Sequence, residues 1–79
     1  MEIKYKRKAV KYIESCDKLT KNRLKVSIEN LPLGDVKKLK GFEDEYRLRV
    51  GDLRVLFSVQ NGIIFINDIQ SRGQVYKRL

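Results

Sequence analysis

Arg47, Arg49 and Arg54 are crowded into one short stretch, YRLRVGDLRVLFSV over residues 46–59. A guanidinium group is planar, permanently charged and shaped to hold two oxygens of a phosphate at once. Three of them on one surface, with no acidic residue interleaved on that face of the hairpin to pair them, point to a polyanion as the ligand. Further along, Arg72 and Tyr76 follow the last predicted strand closely enough to fold onto the same surface. Leu56, Phe65 and Ile69 are expected beside the arginines, giving a face that is basic with apolar patches. Such a face suits an RNA strand, whose phosphates need cations and whose bases need flat apolar partners.

The composition narrows the chemistry further. The chain has 79 residues, 18 Lys and Arg against 10 Asp and Glu, and a formal charge of +8. That surplus attracts phosphate backbones or an acidic protein. The sequence holds no histidine and one cysteine, Cys16. Ser-His-Asp triads, Cys-His dyads and paired-histidine nuclease chemistry are therefore excluded, and a metal site or other cofactor is not expected. Cys16 cannot close an internal disulfide, which fits a reducing cytoplasm, and reads as a small packed apolar residue. Nothing resembles a signal peptide, and the longest apolar run, Ile63 to Ile66, is too short to cross a bilayer, so no membrane role is expected.

The elements that position the arginines follow from periodicity. Tyr46, Leu48 and Val50 alternate with Arg47 and Arg49, as in a strand with one buried face. Gly51-Asp52 reads as a two-residue loop, after which Leu53, Val55, Phe57 and Val59 resume the apolar series. This register sets Val50 opposite Leu53, Arg49 opposite Arg54 and Leu48 opposite Val55. A slip of one residue would carry Arg54 to the other face. Asn61-Gly62 is the strongest turn signal in the chain and leads into a strand from Ile63 to Ile69. Across that turn Ile64 and Ile66 are expected in the core, with Leu56, Phe65 and Ile69 on the arginine side.

Upstream, Glu2 to Tyr5 reads as a short first strand. Ala9, Tyr12, Ile13 and Cys16 then fall at the spacing of an amphipathic helix, and Leu24, Ile28 and Leu31 repeat that stripe in a second one capped by Asp17 or Thr20. Pro32 and Gly34 end it and open a connection from Leu33 to Glu45 that carries Lys37, Lys38 and Lys40. These lysines read either as a grip on RNA or as a solvated run. The expectation is a single α+β domain over residues 1–79, in the order β-α-α-β-β-β, an antiparallel sheet with two N-terminal helices packed on one face.

KLKG at 38–41, YRLRVGDLRVLF at 46–57 and SRGQVYKRL at 71–79, in this order and spacing and after a two-helix start, resemble the RelE/ParE superfamily of bacterial and archaeal type II toxins, the RelE branch most. The resemblance implies a RelE-like fold, and a toxin neutralised by a cognate antitoxin that wraps an acidic or amphipathic segment around it. RelE-like members cut mRNA, usually in the ribosomal A site, by driving a 2′-OH onto the adjacent phosphate. Carried onto this chain, the family's functional positions fall on Arg47 and Arg49 for RNA binding, Arg54 on the strand after the turn, and Arg72 and Tyr76 in the tail. Arg54 and Arg72 would stabilise charge on the reacting phosphate, and Tyr76 would stack on a base or hydrogen-bond near it.

Two departures bear on the reaction. Some relatives carry lysines where this chain has Arg47 and Arg49, and some carry a histidine where it has Ser71. Arginine is a poor general base. The groups left to move a proton are a lysine of lowered pKa, Tyr76, or a carboxylate such as Asp68 or Glu45. Three functions thus compete: a ribosome-dependent mRNA endonuclease, a ParE-type toxin that inhibits DNA gyrase without cutting RNA, and a homologue that only binds nucleic acid and antitoxin.

Overall fold

The computed structural model describes residues 2–41 and 44–71. Two helices, α1 (Arg7–Ser15) and α2 (Lys18–Glu29), join strand β1 (Glu2–Tyr5) to the rest of a five-stranded sheet. The remaining strands are β2 (Asp35–Lys38), β3 (Glu45–Val50), β4 (Leu53–Gln60) and β5 (Ile63–Ser71). Their spatial order is β1-β5-β4-β3-β2, antiparallel except for β1, which runs parallel to β5. The α+β class and the helical pair on one face are as the sequence predicts.

Since β1 and β2 form opposite edges, the chain between them must traverse the sheet. Four inter-strand spacings amount to about 19 Å, and the 12 residues of α2 span about 18 Å as a helix. The helical hairpin is thus long enough to bridge one face, with α1 over β5 and α2 against β3. Asp17 caps α2 by accepting the Thr20 amide at 3.1 Å. Ala9, Leu24 and Ile28 from the helices meet Leu48, Val55, Phe57, Ile64, Ile66 and Ile69 from the strands in a single core. Tyr46 and Phe57, paired across the β3–β4 ladder, stack with ring centroids 5.5 Å apart. Cys16 packs against the rim of this core, as expected of it. Burial, and next the Asp17 carboxylate, pushes its thiol pKa above the ordinary value.

Three expectations need correction. The connection from Leu33 to Glu45 contains an additional edge strand, β2, whose only apolar residue, Val36, lies opposite Leu48. An edge strand is solvated along one side and requires no apolar alternation, so DVKK carries no periodic signal. The first strand is parallel to its neighbour, so the sheet is mixed rather than purely antiparallel. Finally, Ile69 belongs to the core, 2% exposed, and not to the arginine face. The ladder between β4 and β5 shifts between Leu56 and Phe57: Phe57 pairs with Ile66 but Leu56 pairs with Asp68, leaving Asn67 as the extra residue. Such a bulge inverts the alternation beyond it, and Ile69 comes to lie opposite Val55.

Among the described residues, no helix is long and apolar enough to cross a membrane.

Candidate nucleic-acid interface

The β3–β4 hairpin has the register that its two-residue loop demands. Val50 pairs with Leu53, Arg49 with Arg54, Leu48 with Val55 and Arg47 with Leu56. Gly51, with φ +59°, occupies the first loop position, where a tight hairpin turn needs a left-handed residue. The second hairpin turns through Asn61 (φ +52°) and Gly62 (φ +76°), the pairing favoured in type I′ loops. Paired residues share a face, so these turns decide what stands beside what on the side of the sheet away from the helices.

Two cross-sheet rows form the centre of that side. One runs Asp35, Arg49, Arg54, Gln70 from β2 to β5, and the other Lys37, Arg47, Leu56, Asp68. A third row, Glu45, Ser58, Phe65, Lys4, lies next to them. Directly paired Cβ atoms in such a lattice are about 5 Å apart. Arg47, Arg49, Arg54 and Lys37 therefore gather on one surface, as the sequence predicts for the arginines. Leu56 and Phe65, both half-buried, supply the apolar patches.

The three arginines are not equivalent. Arg49 and Arg54 are exposed. Arg47 has a side chain only 20% exposed, its Nη1 3.7 Å from a carboxylate oxygen of Asp35 and without a hydrogen-bond acceptor among the described residues. The sequence reading had no acid paired with these arginines. Asp35 arrives from β2, the strand that left no periodic trace, and this is why it was missed. Lys4 was missed for a similar reason, because nothing in the sequence shows that β1 lies beside β5.

Other candidates lie elsewhere. Lys38 pairs with Tyr46 and so shares the helix side of the sheet edge with it, and Lys40 is exposed in the turn after β2. Neither joins the arginine rows. Arg72 and Tyr76 fall outside the described residues. Asp68 has a side chain only 14% exposed and is already surrounded by donors: the Lys8 ammonium at 3.3 Å, the Ile69 amide at 2.8 Å and the Gln70 amide nitrogen at 3.3 Å. That arrangement ties α1 to the bulge. Among the described residues, no cluster of His, Cys, Asp or Glu is placed to hold a metal.

A family model described as the ParE toxin of a type II toxin-antitoxin system, parDE, matches residues 3–76. The chain belongs to the ParE toxin family. Among solved structures, that of an archaeal RelE-RelB complex from Pyrococcus horikoshii OT3 has a matching chain 32% identical, with 92% of this chain and 96% of that one covered and a TM-score of 0.74. The RelB-RelE antitoxin-toxin complex of Methanococcus jannaschii gives 27% identity, 96% and 98% coverage, and a TM-score of 0.76. The E. coli RelBE complex, at 21% identity, 89% and 94% coverage and a TM-score of 0.70, shares the fold. No curated protein matches the sequence. The arginine rows are thus carried by a toxin of the RelE/ParE superfamily, and membership extends through the tail positions Arg72 and Tyr76.

Proposed function

We propose that this toxin is a ribosome-dependent mRNA endonuclease of the RelE kind, acting in the cytoplasm and held inactive by a cognate antitoxin with an acidic or amphipathic segment. The observation that carries the reading is the gathering of Arg47, Arg49 and Arg54 on one side of the sheet, with Leu56 at its centre and Lys37 at its edge. The solved complexes of RelE with RelB support an antitoxin as the partner.

In the proposed reaction the 2′-oxygen of one nucleotide attacks the phosphorus that follows it. The bond from phosphorus to O2′ forms as that to O5′ breaks, the 2′-OH loses its proton and the departing 5′-oxygen gains one. The products are a 2′,3′-cyclic phosphate and a 5′-hydroxyl. Negative charge grows on the non-bridging oxygens during the transfer. Arg54, joined by Arg72 from the tail, stabilises that charge, while Arg49, Arg47 and Lys37 hold the flanking phosphates. A preorganised donor in this role contributes about 3–4 kcal/mol to the transition state. Tyr76 stacks on a base or donates to the phosphate. Histidine is absent and the donors around Asp68 occupy its carboxylate, so proton transfer falls to Tyr76, Glu45, a lysine or groups of the ribosome. Ribosome dependence follows from that shortage.

A second reading, gyrase inhibition by protein contact alone, is favoured by one observation, the match of the chain to the ParE model. Induction followed by primer extension on a translated mRNA separates the two. The endonuclease reading expects cuts phased with the codons. Intact mRNA together with gyrase-linked DNA damage would establish the other.

A further inference from the structure

We infer that Asp35 is a built-in counter-ion of the arginine cluster, one that an incoming RNA phosphate must displace, and that it weakens polyanion binding rather than serving it. The inference rests on the reading of this face as the RNA surface. It goes beyond that reading by assigning a function to an acidic residue placed inside the cluster.

Asp35 stands at the corner of the two rows. It pairs directly with Arg49 and reaches diagonally to Arg47, its carboxylate 3.7 Å from Nη1. At that separation it supplies charge but no hydrogen bond, since a charge-assisted bond closes to about 2.8 Å. Nη1 of Arg47 is buried and has no acceptor among the described residues. The carboxylate is 59% exposed on an edge strand of four residues, so little holds it in place. A contact that offsets the charge of Arg47 without giving it a hydrogen bond is easily exchanged. A phosphate offers the missing acceptor and more negative charge, and the exchange frees Asp35 to water at small cost. Until then one carboxylate offsets part of the repulsion among Arg47, Arg49 and Arg54.

Two consequences are measurable. Removing the charge makes one more cation available to the RNA, so the affinity rises and its salt dependence steepens. For a single strand each additional neutralised phosphate steepens the logarithmic salt slope by about 0.7. Loss of an exposed ion pair of this kind corresponds to about a fivefold gain in affinity at low salt.

The test is anisotropy of a short fluorescein-labelled single-stranded RNA titrated with the full-length toxin across a salt series. Variants are Asp35→Asn, Asp35→Glu, Arg54→Ala and, as a control for net charge, Glu29→Gln on α2. The expected result has Arg54→Ala weak, Asp35→Asn about fivefold tighter with the steeper slope, and Asp35→Glu and Glu29→Gln close to the parent. If Arg54→Ala weakens binding but Asp35→Asn matches or falls below the parent, the counter-ion role is wrong while the RNA surface stands. Should Arg54→Ala bind like the parent, the RNA surface itself is wrong, and the inference goes with it. Asp35→Ser carries the same expectation, should the asparagine variant lose the parent's thermal transition.

Discussion

Arg49 and Arg54 stand directly opposite each other across the β3–β4 ladder, two like charges set side by side by a two-residue loop. Such a pair costs a few tenths of a kcal/mol or more. Nothing in the fold requires it, because both side chains are exposed and neither touches the core. A sheet that keeps an unfavourable pair at its centre places it where a polyanion can neutralise both charges.

Replacing Arg54 therefore should separate function from stability. Arg54→Gln is expected to leave the thermal transition unchanged or slightly raised, by a few tenths of a kcal/mol, while abolishing growth inhibition on induction. A large drop in Tm would show that Arg54 is structural.

The bulge at Asn67 decides which residues of β5 face the core. Ile69, fully buried opposite Val55, is expected to cost about 2–5 kcal/mol on change to Ala. Phe65→Ala, half-buried on the other face, should cost distinctly less. Deleting Asn67 would join Ile66 opposite Phe57 to Asp68 opposite Leu56 in an unbroken ladder, keeping Ile69 in the core, so that variant should still fold cooperatively. Urea titrations of the three proteins give the comparison.

The hairpin was legible in the sequence because a two-residue loop fixes register, and every expected pair from Val50–Leu53 to Leu48–Val55 is present. The side of the sheet on which Arg54 falls followed from that alone. Ile69 was misplaced because a single inserted residue leaves no mark on hydrophobic alternation until the partner strand is known. Asp35 and Lys4 were missed as neighbours of the site for a different reason. They lie on edge strands whose pairing depends on how the helical hairpin carries the chain across the sheet, and no local pattern encodes that.

Gly51 holds the loop between the two arginine strands. Its φ of +59° is strained for any L side chain, and a Cβ there would stand 3.1 Å from Nη2 of Arg23. Gly51→Val should destabilise by about 1–2 kcal/mol, visible as a lower Tm. Adding Arg23→Ala should recover only the part due to the close contact.

Asp17 gives the fold a pH dependence at its acid end. Hydrogen bonding to Thr20, at both its side chain and its amide, holds the Asp17 carboxyl below its ordinary value of 3.8. The charged form is thus favoured in the folded state, and the stabilisation is complete above that ordinary value. It is lost as pH falls through the lower folded value. Asp17→Ala should be less stable than the parent at neutral pH, with the difference shrinking below pH 3.8 in thermal melts.

The most direct test of the central claim is to expose purified ribosomes, programmed with an mRNA and an empty A site, to the toxin and to its Arg54→Ala variant, and to analyse the RNA ends. The account predicts A-site cleavage that leaves a 2′,3′-cyclic phosphate on the upstream fragment and a 5′-hydroxyl on the downstream one, with the rate reduced about 10²-fold or more in the variant. Intact mRNA with the parent toxin, or equal cleavage by both proteins, would contradict it.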